Sequence, residues 1–241
     1  MRQAGFAWLA VFVSAPLCAQ DANPHEALVE ALTTRETFDV AFQHLMNVDL
    51  PAAFLADPDI AELEKECPGA VQALLTAASP LFLRINQESE SEYHKAMADF
   101  LAARISDAEA DAAANFFASD VGQRFLRTVG AESTLGNSLR SAMADDEGAV
   151  DRASFDRDRQ SSAAATVAAL GDADRRALAE TFDTSWGKTL RAMVPELADL
   201  RFRLMSMDLT PEQSTELESL ANRVLLGHFT TCDEQGTATR N

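Results

Sequence analysis

Basic residues are scarce in this sequence, and acidic residues are abundant. The 20 lysines and arginines are outnumbered by 38 aspartates and glutamates, so the net charge is −18 at pH 7. A protein that binds nucleic acid contacts phosphates through clustered lysine and arginine, and this balance argues against such a partner. An acidic surface of this kind is typical of a solvated protein that stays in solution through self-repulsion.

The sequence also lacks the common catalytic and metal-binding motifs. Its four histidines, at positions 25, 44, 94 and 228, form no His-Glu-x-x-His zinc helix, and its three cysteines form no Cys-x-x-Cys pair. There is no Gly-x-Ser-x-Gly elbow, no phosphate-binding glycine loop and no EF-hand spacing among the acids. We therefore expect no cofactor and no metal ion. The absence of motifs favours a non-enzymatic role, although catalytic triads are recognised by geometry and do not need a fixed spacing.

Long hydrophobic runs are missing apart from one at the N-terminus. Ala4 to Val13 is apolar except for one glycine, and it lies between Arg2 and the small residue Ala19. The run is shorter than the roughly 18 to 20 residues that cross a bilayer, and its flanks are those of a secretory signal peptide. The sequence predicts that residues 1–19 are cleaved before Gln20, that the protein is periplasmic, and that the mature chain has no transmembrane span.

Cysteine is equally scarce. Cys18 follows the bulky Leu17, which argues against a lipoprotein cleavage site, so we expect this cysteine to leave with the leader. Cys67 and Cys232 then remain, and only one pairing is possible between them. In an oxidising compartment this count predicts a disulfide, with two separate buried thiols as the alternative.

The signals of β-strands are absent as well, and those of helices are plentiful. No segment alternates apolar and polar residues with period two, whereas apolar residues recur at helical spacing in several segments. These segments are His25–Asn47, Val71–Ile85 (interrupted by Pro80) and Tyr93–Arg104. The chain is predicted to be all-α. Its abundant alanine allows helices to approach closely.

One pattern of residues occurs twice, and Leu170 of the second copy follows Ile105 of the first by 65 positions. The first copy begins Ile105-Ser106-Asp107-Ala108-Glu109, and the second begins Leu170-Gly171-Asp172-Ala173-Asp174. An internal repeat predicts a helical bundle built from duplicated units. The roughly 220 mature residues suffice for one large or two small domains. We divide them into 20–144 and 145–241, each with one copy.

Within each copy the pattern predicts a helix, a tight turn and a second helix. Ser106 is placed to cap the first helix, and Glu109 stands at the capping-box position. Ser119 is placed to cap the second helix, and Gly122 leaves room for the preceding helix to lie close, although glycine costs about 1 kcal/mol of helix propensity. A fainter echo, Leu209-Thr210-Pro211-Glu212-Gln213, predicts a well-capped terminal helix.

The two copies share a further set of motif residues. Those of the first copy are Glu109, Phe116, Phe117, Ser119, Gly122 and Gln123, and those of the second are Phe182, Thr184, Gly187 and Lys188. These residues resemble the motif of a bacterial family known only as the domain of unknown function 2059 family. Two departures are Phe117 at the family's tyrosine position and Asp120 at its proline position. The resemblance covers roughly residues 81–132 and implies an exported helical protein, without implying an activity.

The sequence therefore predicts an exported, non-enzymatic binding or interaction protein of the bacterial cell envelope. The expected site is a groove between the two motif hairpins that takes a protein or a small apolar ligand. One alternative is a periplasmic hydrolase with an unmarked active site, and another is a structural or holding role that rests on an acidic helical surface. A pocket that joins a histidine, a carboxylate and a hydroxyl would favour the hydrolase.

Overall fold

Helices make up nearly all of the structure. The computed structural model describes residues 23–145, 148–205 and 209–238, and within these ranges it contains helices and no strand. The predicted all-α class is confirmed, whereas the predicted signal peptide, residues 1–19, lies outside the described residues. In the same ranges no helix has the length and apolar character that crossing a bilayer requires.

The helices are numbered here in chain order. Those of the first half are α1 Pro24–Leu32, α2 Arg35–His44, a π-helical turn Leu45–Asp49, α3 Leu50–Phe54, α4 Pro58–Glu66, α5 Ala70–Ala102, α6 Asp107–Ala118 and α7 Asp120–Glu132. Those that follow are α8 Gly136–Ala144, α9 Arg152–Ala169, α10 Asp172–Phe182, α11 Ser185–Met205 and α12 Pro211–Ala238.

Two helical segments differ from their predicted extents. The segment predicted over residues 25–47 is two helices, because the chain turns at Thr33 and the Thr34 side chain accepts a hydrogen bond from the Thr37 backbone N–H at 3.3 Å. The segment expected to break at Pro80 instead continues as the 33-residue α5. Proline removes one backbone hydrogen bond, but buried residues on either side of it, Leu75 and Phe82 among them, anchor the helix to the core.

The buried apolar residues form two clusters. One surrounds the first half of α5 and includes Leu75, Phe82 and Phe155, and the other surrounds α6 and includes Leu28 and Phe117. Each cluster draws residues from both sides of the predicted boundary at residue 144. α1 packs closely on α6, where Ala110 and Ala113 are both fully buried.

The last helix, α12, lies on the surface of this bundle. It runs antiparallel to α5, because Glu216 near its start pairs with Arg84 while Cys232 near its end joins Cys67. None of its side chains that the structure describes is buried. Its predicted cap is confirmed: the Thr210 hydroxyl accepts from the Gln213 backbone N–H at 3.2 Å, and the Gln213 side chain accepts from the Thr210 N–H at 3.0 Å.

Candidate functional site

The first motif begins with the predicted capping box. The Glu109 backbone N–H donates to the Ser106 hydroxyl at 3.4 Å, and the Ser106 N–H donates to the Glu109 carboxylate at 3.1 Å. The other carboxylate oxygen of Glu109 accepts from the Ser185 hydroxyl at 3.0 Å, at the start of α11. The hydrogen bonds from the Ser106 backbone, and then from the two hydroxyls, lower the pKa of Glu109. This motif acid therefore joins two helix starts.

The turn between α6 and α7 explains the remaining residues of the first motif. The Ser119 hydroxyl donates to the Phe116 carbonyl at 2.6 Å and accepts from the Gly122 backbone N–H at 3.2 Å. The Gln123 side-chain amide donates to the Phe117 carbonyl at 2.7 Å. A Cβ atom on Gly122 would stand 2.5 Å from the Phe117 Cα, so only glycine lets the helices approach this closely.

The turn between α10 and α11 has the same contacts. The Thr184 hydroxyl donates to the Thr181 carbonyl at 2.6 Å and accepts from the Gly187 N–H at 3.2 Å. A Cβ atom on Gly187 would stand 2.6 Å from the Phe182 Cα. The two hairpins differ at the start of their first helix. Ser106 caps α6 with its side chain, whereas Gly171 at the start of α10 provides no side-chain cap. The origin of the two hairpins by duplication stays a prediction.

The two hairpins contact each other through aromatic rings and one ion pair. Trp186 of the second hairpin lies 5.7 Å from Phe116 and 6.3 Å from Phe117, between ring centroids. Phe125 and Phe182 lie 6.5 Å apart in an edge-on arrangement. Such pairs fill space and add dispersion and quadrupole attraction.

The ion pair lies beside these rings. The Arg124 guanidinium donates to Asp174 at 2.7 Å, and this hydrogen bond lowers the pKa of the Asp174 carboxyl. The motif residues of both copies thus close turns and pack the hairpins together. Side chains occupy the contact where we expected a ligand groove.

The predicted disulfide between Cys67 and Cys232 is present. Their Cα atoms are 5.9 Å apart, within the usual range for a bridge. Cys67 precedes Gly69, whose φ of 93° lies in the left-handed region and turns the chain into α5. His228, one helical turn before Cys232, places its Nε2 atom 3.2 Å from the Pro68 carbonyl oxygen. The bridge and this contact fix the end of α12 to the start of α5.

A groove of about 740 Å³ runs between α5 and α12, and it is open to solvent along one side. Its middle is apolar, formed by Pro80 and Leu81 of α5 and by Leu220 of α12, and two further apolar residues, Ala77 and Pro211, line it toward its ends. Charged and hydroxyl groups line the remainder: Arg84, Glu212, Thr215, Glu216, Ser219 and Arg223. Its volume is in the range of small-molecule sites.

The groove was not expected from the sequence, although a signal for it exists. In a chain of net charge −18, no carboxylate occurs from Ala70 to Gln87 or from Ser219 to Cys232. These two stretches lie on the facing helices. Their common lack of acid leaves this part of the groove without a carboxylate from either helix.

Two histidines lie beside groups that occur in hydrolase sites. The His94 Nε2 lies 3.1 Å from the Thr33 hydroxyl, which itself donates to the Val29 carbonyl at 2.7 Å. The His44 Nε2 lies 3.7 Å from an Asp49 oxygen that also accepts from the Thr134 hydroxyl at 2.9 Å. In a hydrolase triad the histidine lies between the acid and the hydroxyl, whereas here the aspartate lies between them. No group of three metal-ligating side chains occurs among the residues that the structure describes.

Two buried aspartates are structural residues that sequence reasoning missed. Asp49 accepts from the Leu135 N–H at 2.8 Å, and Asp158 accepts from the Asn137 and Ser138 N–H groups at 3.0 and 2.7 Å. Both carboxylates therefore satisfy the free N–H groups around the start of α8, where negative charge is also favoured. Asp158 lies in a polar stretch, residues 151–160, whose composition suits a linker or an exposed helix start. The stretch is a helix, and Asp158 is only 1% exposed.

Comparisons with known proteins give no match: no protein-family model matches the chain, and neither a curated protein nor a solved structure does. The geometry of the turns, the disulfide and the groove is therefore the basis on which a function can be assigned.

Proposed function

We propose that this is an exported, non-enzymatic binding protein of the bacterial cell envelope, and that its ligand occupies the groove between α5 and α12. The observation that carries the proposal is the groove itself, with an apolar middle and a volume of about 740 Å³. Sites for small molecules are concave and mostly apolar, with a few polar groups that orient the ligand. The ligand class is a small molecule with an apolar body.

Binding is favoured over catalysis by the chemistry of the lining. The groove residues include two arginines, two glutamates and two hydroxyls, and they include no histidine, cysteine or tyrosine. One glutamate, Glu216, is committed to an ion pair with Arg84. Such groups orient a ligand, and the Thr215 hydroxyl donates to the Pro211 carbonyl at 2.8 Å rather than to either carboxylate.

The neutral fluorescent probe N-phenyl-1-naphthylamine tests the proposal. We expect one saturable site per chain and at least about tenfold weaker binding to an Ala77→Phe variant, because the larger side chain fills the apolar part of the groove. The matched control is Ala163→Phe on α9, which adds the same ring to an exposed helical position. Equal binding by the parent and both variants would show that the groove is not the site.

Export is a separate part of the proposal, supported by the N-terminal sequence and by a disulfide that suits an oxidising compartment. The resemblance to the 2059 family supports the same compartment. Intact-mass measurement of protein from the periplasm should find a chain that begins at Gln20 or Asp21. A cytoplasmic chain that retains Met1 would contradict it.

A further inference from the structure

The charges of the α5–α12 groove are unequal at its two ends. Because α5 and α12 are antiparallel, Arg84 and Glu216 meet at one end, where Glu212 also lines the groove. Arg223 lies seven residues further along α12 than Glu216, toward the end of the groove that Ala77 of α5 lines. The first end contains two carboxylates and one guanidinium, whereas the second contains one guanidinium and no carboxylate.

Arg223 is the cation that remains available to a ligand. It is exposed, and no ion pair to it is formed by the residues that the structure describes. The acid-free stretches of both helices, 70–87 and 219–232, surround it. In a strongly acidic protein, an arginine without a nearby carboxylate is a locally positive site that attracts an anion.

We propose that the groove binds a free single-chain carboxylate amphiphile, with its apolar chain along Pro80, Leu81 and Leu220 and its carboxylate at Arg223. This inference rests on the proposed function and specifies its ligand class. A guanidinium presents paired N–H donors that match a carboxylate. The Ser219 hydroxyl lies one helical turn before Arg223 on α12 and lines the same groove, so it is placed to donate to the same group.

The dimensions of the groove fit this occupant. From Ala77 to Arg84 the α5 wall extends about 10 Å at 1.5 Å per residue, which suits an acyl chain of medium length. The carboxylates of Glu212 and Glu216 at the other end repel an anionic head, so the ligand binds in one orientation. A cationic head is repelled by Arg223 and attracted by Glu212, so a cationic amphiphile would bind in the opposite orientation.

Displacement of N-phenyl-1-naphthylamine by three ten-carbon amphiphiles tests the inference, each below the concentration at which it forms micelles. We expect decanoate to displace the probe at a concentration about tenfold lower than decanol. Displacement by decyltrimethylammonium, whose head is attracted to the Glu212 end, should not be weakened by the loss of Arg223. The Arg223→Gln variant should bind decanoate no better than decanol. The control variant, Arg191→Gln on the exposed face of α11, should keep the preference.

Several outcomes would overturn the inference, and they differ from failure of the proposed function. Equal displacement by decanoate and decanol, or an unchanged preference in Arg223→Gln, leaves an apolar groove without anion recognition. If the protein sediments with anionic vesicles while decanoate does not displace the probe, Arg223 binds a membrane surface and not a free carboxylate. If none of the three displaces a bound probe, the occupant is larger, such as a partner helix. The proposed function itself fails only if the probe does not bind, or if Ala77→Phe leaves its binding unchanged.

Discussion

Replacement of Gly122 by alanine tests whether the close approach of α6 and α7 is required. An alanine Cβ would stand 2.5 Å from the Phe117 Cα and 2.8 Å from the Phe117 carbonyl oxygen. Both are backbone atoms, which cannot rotate away as the end of a side chain can. The turn must therefore open by about 1 Å to restore van der Waals contact, and the aromatic contact of Phe117 with Trp186 must shift with it.

The expected change in the free energy of unfolding follows from two opposing contributions. Overpacking in a closely packed region costs about 1 to 3 kcal/mol, and the better helix propensity of alanine returns about 1 kcal/mol. The contact with backbone places the cost toward the upper end, so Gly122→Ala should lower the free energy of unfolding by about 1 to 2 kcal/mol. For a protein of this size, this corresponds to a fall in Tm of about 2 to 8 °C.

A second glycine provides the matched control. A Cβ atom on Gly227, within α12, would meet no atom within 4 Å. Gly227→Ala should therefore gain up to about 1 kcal/mol from helix propensity alone and raise the Tm. Calorimetry or circular dichroism of the two variants and of Gly187→Ala measures these shifts. A Gly122→Ala variant as stable as the parent would refute the packing explanation and point to a ligand or partner role for the turn.

Three further predictions concern stability. Reduction of the Cys67–Cys232 bridge, or a double serine variant, should lower the free energy of unfolding by about 2 to 4 kcal/mol, with about 5 as the limit for so long a loop. It should also speed amide exchange in α12, and unchanged exchange would contradict a tethering role. Asp158→Ala should cost at least about 1 to 3 kcal/mol in denaturant unfolding, because it leaves buried N–H groups of α8 unsatisfied. The exposed control Asp183→Ala should cost little. Equal costs for the two variants would contradict the role of Asp158 as the acceptor for the N–H groups at the start of α8. The Ser154 and Ser141 hydroxyls hold the pKa of Asp151 at about 2, below its usual 3.8. The ionised Asp151 carboxylate therefore stabilises the fold above pH 3.8, and this contribution to the free energy of unfolding is lost as the pH falls toward 2. An Asp151→Asn variant should therefore be less stable than the parent near pH 6 and equally stable near pH 2, and a difference in melting temperature independent of pH would exclude this linkage.

Local features of the fold could be read from the sequence because short-range chemistry decides them. Ser106 and Glu109 specify a helix start through bonds within one turn, and Thr210 and Gln213 do the same for α12. A glycine three residues after a capping hydroxyl identified both tight turns. The pairing of Cys67 with Cys232 followed from count alone.

Long-range packing decided the features that the sequence did not reveal. α5 continues through Pro80 because the core holds both of its halves, a contribution that local propensity does not contain. Asp158 lies in a polar stretch of sequence, and its burial depends on the distant N–H groups of α8. Only tertiary contact makes Asp158 the acceptor for these N–H groups.

The candidate site likewise has features that the sequence predicted and features that only the tertiary structure showed. The sequence by itself determined an all-α chain, two capped hairpins and one disulfide, because helix periodicity, capping and cysteine count act locally or by elimination. The tertiary structure alone decided that the hairpins fill the space between them with aromatic rings, and that the open groove lies between α5 and α12. The physical reason is that a groove is formed by surfaces far apart in sequence. Ala77 and Arg223 line the same groove only because α12 folds back along α5 and the Cys67–Cys232 bridge holds it there.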